Sequence, residues 1–294
     1  MTIKTKVLNF LRRIFTIRPF ENMLLAFVRH SRYMGLRSRF VPNPILYKFG
    51  TIRNVTRNGI KYELDMSCMM QWYVYWDYSA KDRNKLYSLV KEGDVIFDVG
   101  TNVGETLLNF AKLTGGNGYV YGFEPDEKNY TGVAKNIALN SFKNLEVFKV
   151  AVSDKHETVK LYCVEPHNRG MNRILQQTDD AGLDYTIMET TTLDDIVEMN
   201  KIDRLNLIKI DIEGYEMHAL RGARQVLKRF KPVLFVEVGY TRLLMNKTSP
   251  GELIRFLETH GYEVYHSETE KKVTEAYDFS YIGDGSIDVV AIPK

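Results

Sequence analysis

Two short stretches hold most of the side chains able to do chemistry. The first, Val95 to Glu124, reads VIFDVGTNVGETLLNFAKLTGGNGYVYGFE. An apolar run reaches Asp98, a loop carries Gly100, Thr101, Asn102 and Gly104, and a second apolar run ends in Glu124. The second stretch, Leu205 to Gly214, reads LNLIKIDIEG and spaces Lys209, Asp211 and Glu213 two apart. Strand alternation places Leu207, Lys209 and Asp211 on one side, with Ile208 and Ile210 on the other. A lysine within an apolar strand is costly unless paired, and Asp211 is two residues away. Asp211 also stands at the strand's carboxyl end, where open α/β sheets place their chemistry.

Strand, glycine loop, helix, strand and acid together spell a βαβ unit for an adenosine-containing cofactor. Glycines let backbone N–H groups approach a ligand where a Cβ would intrude. Glu124 can accept both hydroxyls of a ribose, and Pro125 biases it toward extended geometry. A dinucleotide fold would show G-x-G-x-x-G, shaped for a pyrophosphate. Here Thr101-Asn102 replace the middle glycine, and Asp98 would repel a pyrophosphate. That carboxylate suits a ligand with a cationic amino-acid end, so S-adenosyl-L-methionine is expected rather than a nicotinamide cofactor. Val152 and Ser153 follow the third strand, where an adenine would rest.

These groups need a frame to position them. Helices are expected over 81–91 and 129–140, and strands over Leu145 to Val150 and Val233 to Val238. Closing strands lie at Val264 to His266 and Ile287 to Ile292. Strands alternating with helices imply a parallel sheet with right-handed crossovers. One helix, opened by Glu213 and Glu216, is expected to run to about Arg229. Thr192 to Asp195 fits a capping box, and Ser249-Pro250-Gly251-Glu252 a helix start. Residues 153–200 break the rhythm as a substrate-side insertion, with strands at Thr158 to Val164 and Tyr185 to Thr190. Its loop carries His167 and Arg169, His167 being a candidate base. The expected organisation is an extension over 1–80 and a main domain over 81–294.

In the extension, Asn58-Gly59 between two apolar runs predicts a hairpin. The aromatic run Trp72 to Tyr78 reads as core, with stacking on a sugar as the alternative. Residues 1–60 carry twelve Lys/Arg and one acid, Glu21, a net +11 against −8 for the rest. Leu8, Leu11 and Phe15 share a helical face, as do Phe20, Met23, Leu24, Phe27 and Val28. Two short basic amphipathic helices follow. They could dock on the domain as a cap, bind an acidic partner, or lie on an anionic membrane or glycolipid through residues 1–40.

With 44% apolar and 26% charged residues the chain is neither disordered nor fibrous. Cys68 and Cys163 form no disulfide framework and no metal spacing. No secretory signal is visible, since Arg12 and Arg13 interrupt the early apolar run, so a cytoplasmic location is expected, with peripheral membrane contact left open. No reading motif accompanies the basic charge, which argues against nucleic acid. Asp211, Glu213 and Glu237 could make an oxygen site for a divalent cation, but acids at strand ends have other duties and no metal is assigned.

The chain resembles the FkbM family of S-adenosylmethionine-dependent methyltransferases from about Val95 to His266. The resemblance rests on IFDVGTNVGE, YGFEPD, NLEVFKVAVSD, TLDDI, LIKIDIEGYEMHALRGA and KPVLFVEV, in that order and spacing. Thr101 departs from the alanine usual in that loop. The resemblance implies a Rossmann-like, seven-stranded class I sheet, mostly parallel, with the last strand antiparallel. It also implies O-methylation of a hydroxyl on a natural product, sugar or glycolipid. By position, Asp98, Gly100, Asn102 and Gly104 would line the methionine end of the cofactor, Glu124 the ribose, and Val152 with Ser153 the adenine. Asp211 and Glu213 would face the methyl group or acceptor. The rival reading is a non-catalytic protein of this fold docking through its basic N-terminus.

Overall fold

The computed structural model describes residues 3–28, 39–78, 81–175 and 182–294, with the backbone alone for 3–6, 81 and 82. Arg29, Arg32 and Arg37 of the basic stretch lie outside the described residues. The chain divides into two compact units: Met1–Ser79 with Glu165–Gly170, and Ala80–Val164 with Met171–Lys294. The segment Glu165–Gly170, which carries His167, comes from within the expected insertion but belongs to the first unit.

In the first unit, α1 (Ile3–Ile14) and α2 (Arg18–Val28) are the two helices that the apolar spacing predicts. Glu21 on α2 is fully buried and accepts hydrogen bonds from Arg53 Nε at 2.7 Å and the Tyr47 hydroxyl at 3.2 Å. Burial raises its carboxyl above the ordinary range, with Arg53 pulling the other way. β1 (Ile52–Arg57) and β2 (Ile60–Asp65) form the expected hairpin, with φ of 49° at Asn58 and 78° at Gly59. Two successive positive φ values are what the tightest two-residue turn demands. α3 (Met69–Trp76) buries Val74, Tyr75 and Trp76. Trp72 stacks on Tyr78 with centroids 4.9 Å apart and donates its indole N–H to the Pro42 carbonyl at 2.7 Å. The aromatic run is core of this unit.

The second unit opens with α4 (Lys81–Ser88), β3 (Val95–Val99), α5 (Glu105–Thr114), β4 (Tyr119–Phe123), α6 (Glu127–Ala138) and β5 (Leu145–Phe148). β6 (Ala151–Val152), β7 (Thr158–Tyr162), β8 (Arg173–Ile174) and β9 (Tyr185–Thr191) follow. Then come α7 (Leu193–Met199), β10 (Leu207–Ile210), α8 (Glu216–Arg221), α9 (Arg224–Phe230) and β11 (Val233–Gly239). α10 (Tyr240–Met245), α11 (Pro250–Thr259), β12 (Tyr262–His266), β13 (Lys272–Val273) and β14 (Ser286–Pro293) complete it.

The main sheet runs β13-β12-β14-β11-β10-β3-β4-β5. β5, β4, β3, β10 and β11 pair in parallel, and β14 runs antiparallel between β11 and β12. These are the seven expected strands; the two-residue β13 extends the edge. Strand order reverses between β3 and β10, which makes that crevice the topological switch point. Alternation sorts the core as the sequence predicts. Ile96, Leu207 and Phe235 pack on one face, and Phe97, Ile208 and Ile210 on the other. β6, β9, β7 and β8 form a separate four-stranded sheet, three of whose strands come from the insertion.

The helix after Glu213 departs from expectation. The single helix predicted to run to Arg229 is two helices, parted at Gly222-Ala223. A Cβ at Gly222 would lie 2.0 Å from the Ser153 carbonyl oxygen, and the Gly222 carbonyl accepts the Asp194 N–H at 3.0 Å. The Asp194 carboxylate then accepts the Gln225 and Val226 N–H groups at 3.1 and 2.9 Å, which caps α9 from another element. Local propensity favoured one helix; a cap from α7 divides it.

Candidate active site

Four adjacent parallel strands each deliver an acid to their carboxyl ends: Glu124 after β4, Asp98 in β3, Asp211 after β10 and Glu237 in β11. Asp98 and Lys209 are register partners across β3 and β10. Lys209 Nζ donates to the carbonyls of Gly100 (2.8 Å) and Val99 (3.3 Å). It also stands 3.4 Å from Asp98 Oδ1 and 3.6 Å from Asp211 Oδ2. Burial would pull the Lys209 ammonium down, but the carboxylates of Asp211 and Asp98 outweigh it and hold the group above its ordinary range. The costly buried lysine is thus paired twice.

Asp98 itself is fully buried, and its Oδ2 accepts the Thr106 hydroxyl at 2.6 Å. The sequence reading had this carboxylate facing a ligand's cationic end; here its charge is met by Lys209 and Thr106. The carboxylate left open to solvent is Asp211, 46% exposed.

The loop after β3 is held from within the protein. The N–H groups of Gly100 and Thr101 both reach the Phe123 carbonyl, at 3.0 and 3.1 Å. Thr101 is buried, its hydroxyl donating to the Asp98 carbonyl and accepting the Phe123 N–H. Gly100 has φ 84°, and a Cβ there would lie 1.9 Å from the Asp211 carbonyl oxygen. The glycine is required by the chain leaving β10, a protein neighbour, where the sequence reading supposed a ligand. Gly104 (φ 85°) lets the loop pass Val133, whose Cγ1 would stand 3.3 Å from a Cβ.

Asn102 adopts φ 53° and donates its N–H to Glu124 Oε2 at 2.7 Å. The other Glu124 oxygen accepts the Asp126 N–H (3.0 Å) and the Asn129 amide (3.4 Å). Burial pushes the Glu124 carboxyl up to about 8 against the pull of the Asp126 and Asn102 N–H groups. Around it, the side-chain oxygens of Asn102, Asn129 and Asn172 are buried without a hydrogen-bond partner. Buried acceptors lacking donors are rare and call for an explanation. Together with the spare lone pairs of Glu124 they fit a ligand rich in O–H and N–H groups, such as a nucleoside. Val152 is buried in the core, and Ser153, also buried, donates its N–H to Thr191.

On the far side of Asp211 the side-chain oxygens of Asp211, Glu213 and Glu237 lie within 4.8 Å of one another. That spacing would admit a cation, but Arg242 Nη1 already bridges Glu213 (2.6 Å) and Glu237 (2.8 Å). Ser286 donates its hydroxyl to the other Glu237 oxygen at 2.6 Å. Burial raises both glutamates; Glu237 adds to the rise at Glu213 and Asp211 to that at Glu237, while Arg242 opposes both. Sequence reasoning missed Arg242. Its only signal was its place one turn past β11, five residues after Glu237.

Glu213 was expected to open the helix; it lies in the preceding turn, with φ 58° there and 106° at Gly214. Glu216 holds that turn, its Oε1 accepting the N–H groups of Ile212 (3.1 Å) and Gly214 (2.9 Å). Burial pushes the Glu216 carboxyl up to about 8, with Glu237 adding to the rise. A carboxyl raised in the folded state gives stability that is complete below about pH 4.5 and lost as pH climbs through about 8, near 1.4 kcal/mol per pH unit at most. Glu216→Gln keeps an acceptor for both N–H groups and removes the charge. The fall of the urea midpoint between about pH 5 and 8 is therefore expected to be shallower in this variant. An unchanged slope would contradict the assignment.

His167, the remaining sequence candidate, lies in the first unit. Its Nδ1 is 2.9 Å from the Ser67 carbonyl and its ring stacks on Phe49 at 4.4 Å.

A doubly wound sheet with an antiparallel final hairpin, a glycine loop after its first strand and an acid after its second defines the class I methyltransferase fold. Within that class the chain belongs to the methyltransferase FkbM domain family, whose model matches residues 98–264. The methyl donor of this family is S-adenosyl-L-methionine. The chain is 22% identical over 138 residues to the hexuronic acid methyltransferase AglP of Haloferax volcanii, which covers 47% of this chain and 53% of that protein. It is 25% identical over 167 residues to the 2-O-methyltransferase NoeI of Sinorhizobium fredii, covering 51% and 66%. The chain thus spans between half and two thirds of the length of these curated relatives. Among solved structures, the FkbM methyltransferase of Methylobacillus flagellatus KT aligns with a TM-score of 0.43 and 16% identity, over 94% of this chain and 60% of that one.

Proposed function

We propose that this protein transfers a methyl group from S-adenosyl-L-methionine to a hydroxyl of a saccharide, glycolipid or related natural product. The observation that carries the reading is the half-exposed Asp211 carboxylate at the switch point, backed by Lys209 and next to the 98–104 loop. The names of the two relatives, a hexuronic acid methyltransferase and a 2-O-methyltransferase, support a sugar acceptor and transfer to oxygen.

S-adenosyl-L-methionine, when bound, supplies an electrophilic methyl group on a sulfonium. Glu124 accepts the ribose hydroxyls, and the backbone of Gly100, Asn102 and Gly104 shapes the methionine end. Thr101 and Asp98 brace that loop from inside, and Val152 with Ser153 borders the adenine. Asp211 takes the proton of the acceptor hydroxyl, a service worth typically 10²–10⁴-fold. Glu213, already engaged by Arg242, is the second candidate for that role. Holding the acceptor oxygen in line with the methyl group contributes several kcal/mol more, up to roughly 7–11. No metal is assigned, because Arg242 already neutralises two of the three clustered acids.

Incubation with methyl-labelled S-adenosyl-L-methionine and a panel of neutral sugars, uronic acids and lipid-linked saccharides tests this. Label is expected in a product that resists mild alkali, as a methyl ether does and a methyl ester does not. Alkali-labile label would move the reaction from a hydroxyl to a carboxylate. No transfer to any saccharide, with normal cofactor binding, would overturn the acceptor class.

A further inference from the structure

We propose that α1 and α2 seat this protein on an anionic membrane surface, with their apolar faces in the boundary between headgroups and acyl chains. On α1, Val7, Phe10, Leu11 and Ile14 follow the i, i+3, i+4, i+7 spacing of one helical face and are 57, 72, 40 and 41% exposed. On α2, Phe20, Met23 and Phe27 repeat the pattern at 44, 61 and 54%, and Ile17 between the helices is 53% exposed. The unit buries the flank of α2 that carries Glu21 and Leu24, one edge of this face. Seven large apolar side chains on two consecutive helices, and Ile17 between them, therefore face solvent. Scattered exposed leucines are ordinary, but exposed apolar side chains concentrated at helical spacing mark an interaction surface.

Charge decides the occupant. Glu21 is the only acid among residues 1–60, and it is buried and paired with Arg53. No carboxylate of this stretch reaches the surface, while Arg13 on α1 and Arg18 at the start of α2 are exposed. A surface made of apolar side chains and cations matches anionic phospholipid, which attracts each nearby Lys or Arg and takes up apolar faces without a shaped groove. Helices of 12 and 11 residues are far too short to span a bilayer and would lie in its plane. No helix among the described residues is long and apolar enough to cross.

Co-sedimentation of the full chain with phosphatidylcholine vesicles, with and without phosphatidylglycerol, tests the proposal. The protein is expected to pellet with phosphatidylglycerol vesicles, to stay in the supernatant with phosphatidylcholine alone, and to be released by raised salt. Phe10→Asp with Phe27→Asp is expected to weaken the association at least about tenfold at an unchanged thermal midpoint. Arg13→Glu with Arg18→Glu, which leaves the apolar faces intact, is expected to weaken it as well. Three results would each overturn the proposal. Wild-type protein could ignore the anionic vesicles. Both double variants could bind as wild type. A solution dimer that Phe10→Asp with Phe27→Asp dissolves would show that a second copy, not lipid, covers this face.

Discussion

Alanine at position 124 is expected to weaken S-adenosylhomocysteine binding by about 100-fold or more, measured by calorimetric titration of the purified protein. The ribose hydroxyls would lose two hydrogen bonds to the buried carboxyl, each worth up to roughly 1.5 kcal/mol. About 3 kcal/mol in total is already a hundredfold in Kd. The loop would suffer too, because Glu124 Oε2 is the acceptor for the Asn102 N–H, and Asn102 sits at a positive φ. Glu124→Gln separates the two effects: its amide oxygen can still take one of these bonds, so an intermediate loss is expected. NADH serves as the control and is expected not to bind, since the loop lacks the middle glycine of a pyrophosphate site. Unaltered affinity in Glu124→Ala would remove this acid from the cofactor site.

Asp211→Asn is expected to lower kcat by 10²–10⁴-fold while leaving S-adenosylhomocysteine affinity within about a factor of two, because only the proton-accepting group is lost. Asparagine keeps the shape of the side chain, and Lys209 retains Asp98 and two backbone carbonyls as partners. Loss of fold is therefore not the expected cause of a lower rate. Full turnover in this variant would transfer the role of base to Glu213, where burial and Arg242 compete over the proton.

These two experiments separate the parts of the site. In the proposed site, Glu124 and the loop it tethers would serve the donor, and Asp211 with the Glu213–Arg242–Glu237 group the acceptor. The vesicle binding proposed for α1 and α2 is tested independently of both.

Much of this was legible in the chain because its causes are local. Period-two apolar runs marked the strands, Asn58-Gly59 the hairpin, and the Thr192 and Ser249 caps their helices, each accepting the N–H three residues on. An acid at the end of an apolar strand in a β/α alternation has few places to be, so Asp98, Glu124, Asp211 and Glu237 were found together at the carboxyl edge. Other features were out of reach. Arg242 meets Glu213 across 29 residues of chain, and only the parallel pairing of β10 with β11 brings them together. Asp194 divides the helix after Glu216 from an element some thirty residues earlier. Gly100 is glycine because another strand's exit passes 1.9 Å from where its Cβ would be, which no local pattern encodes. Spacing along the chain determines which face a side chain takes; only the order of strands in the sheet decides which distant side chain it meets.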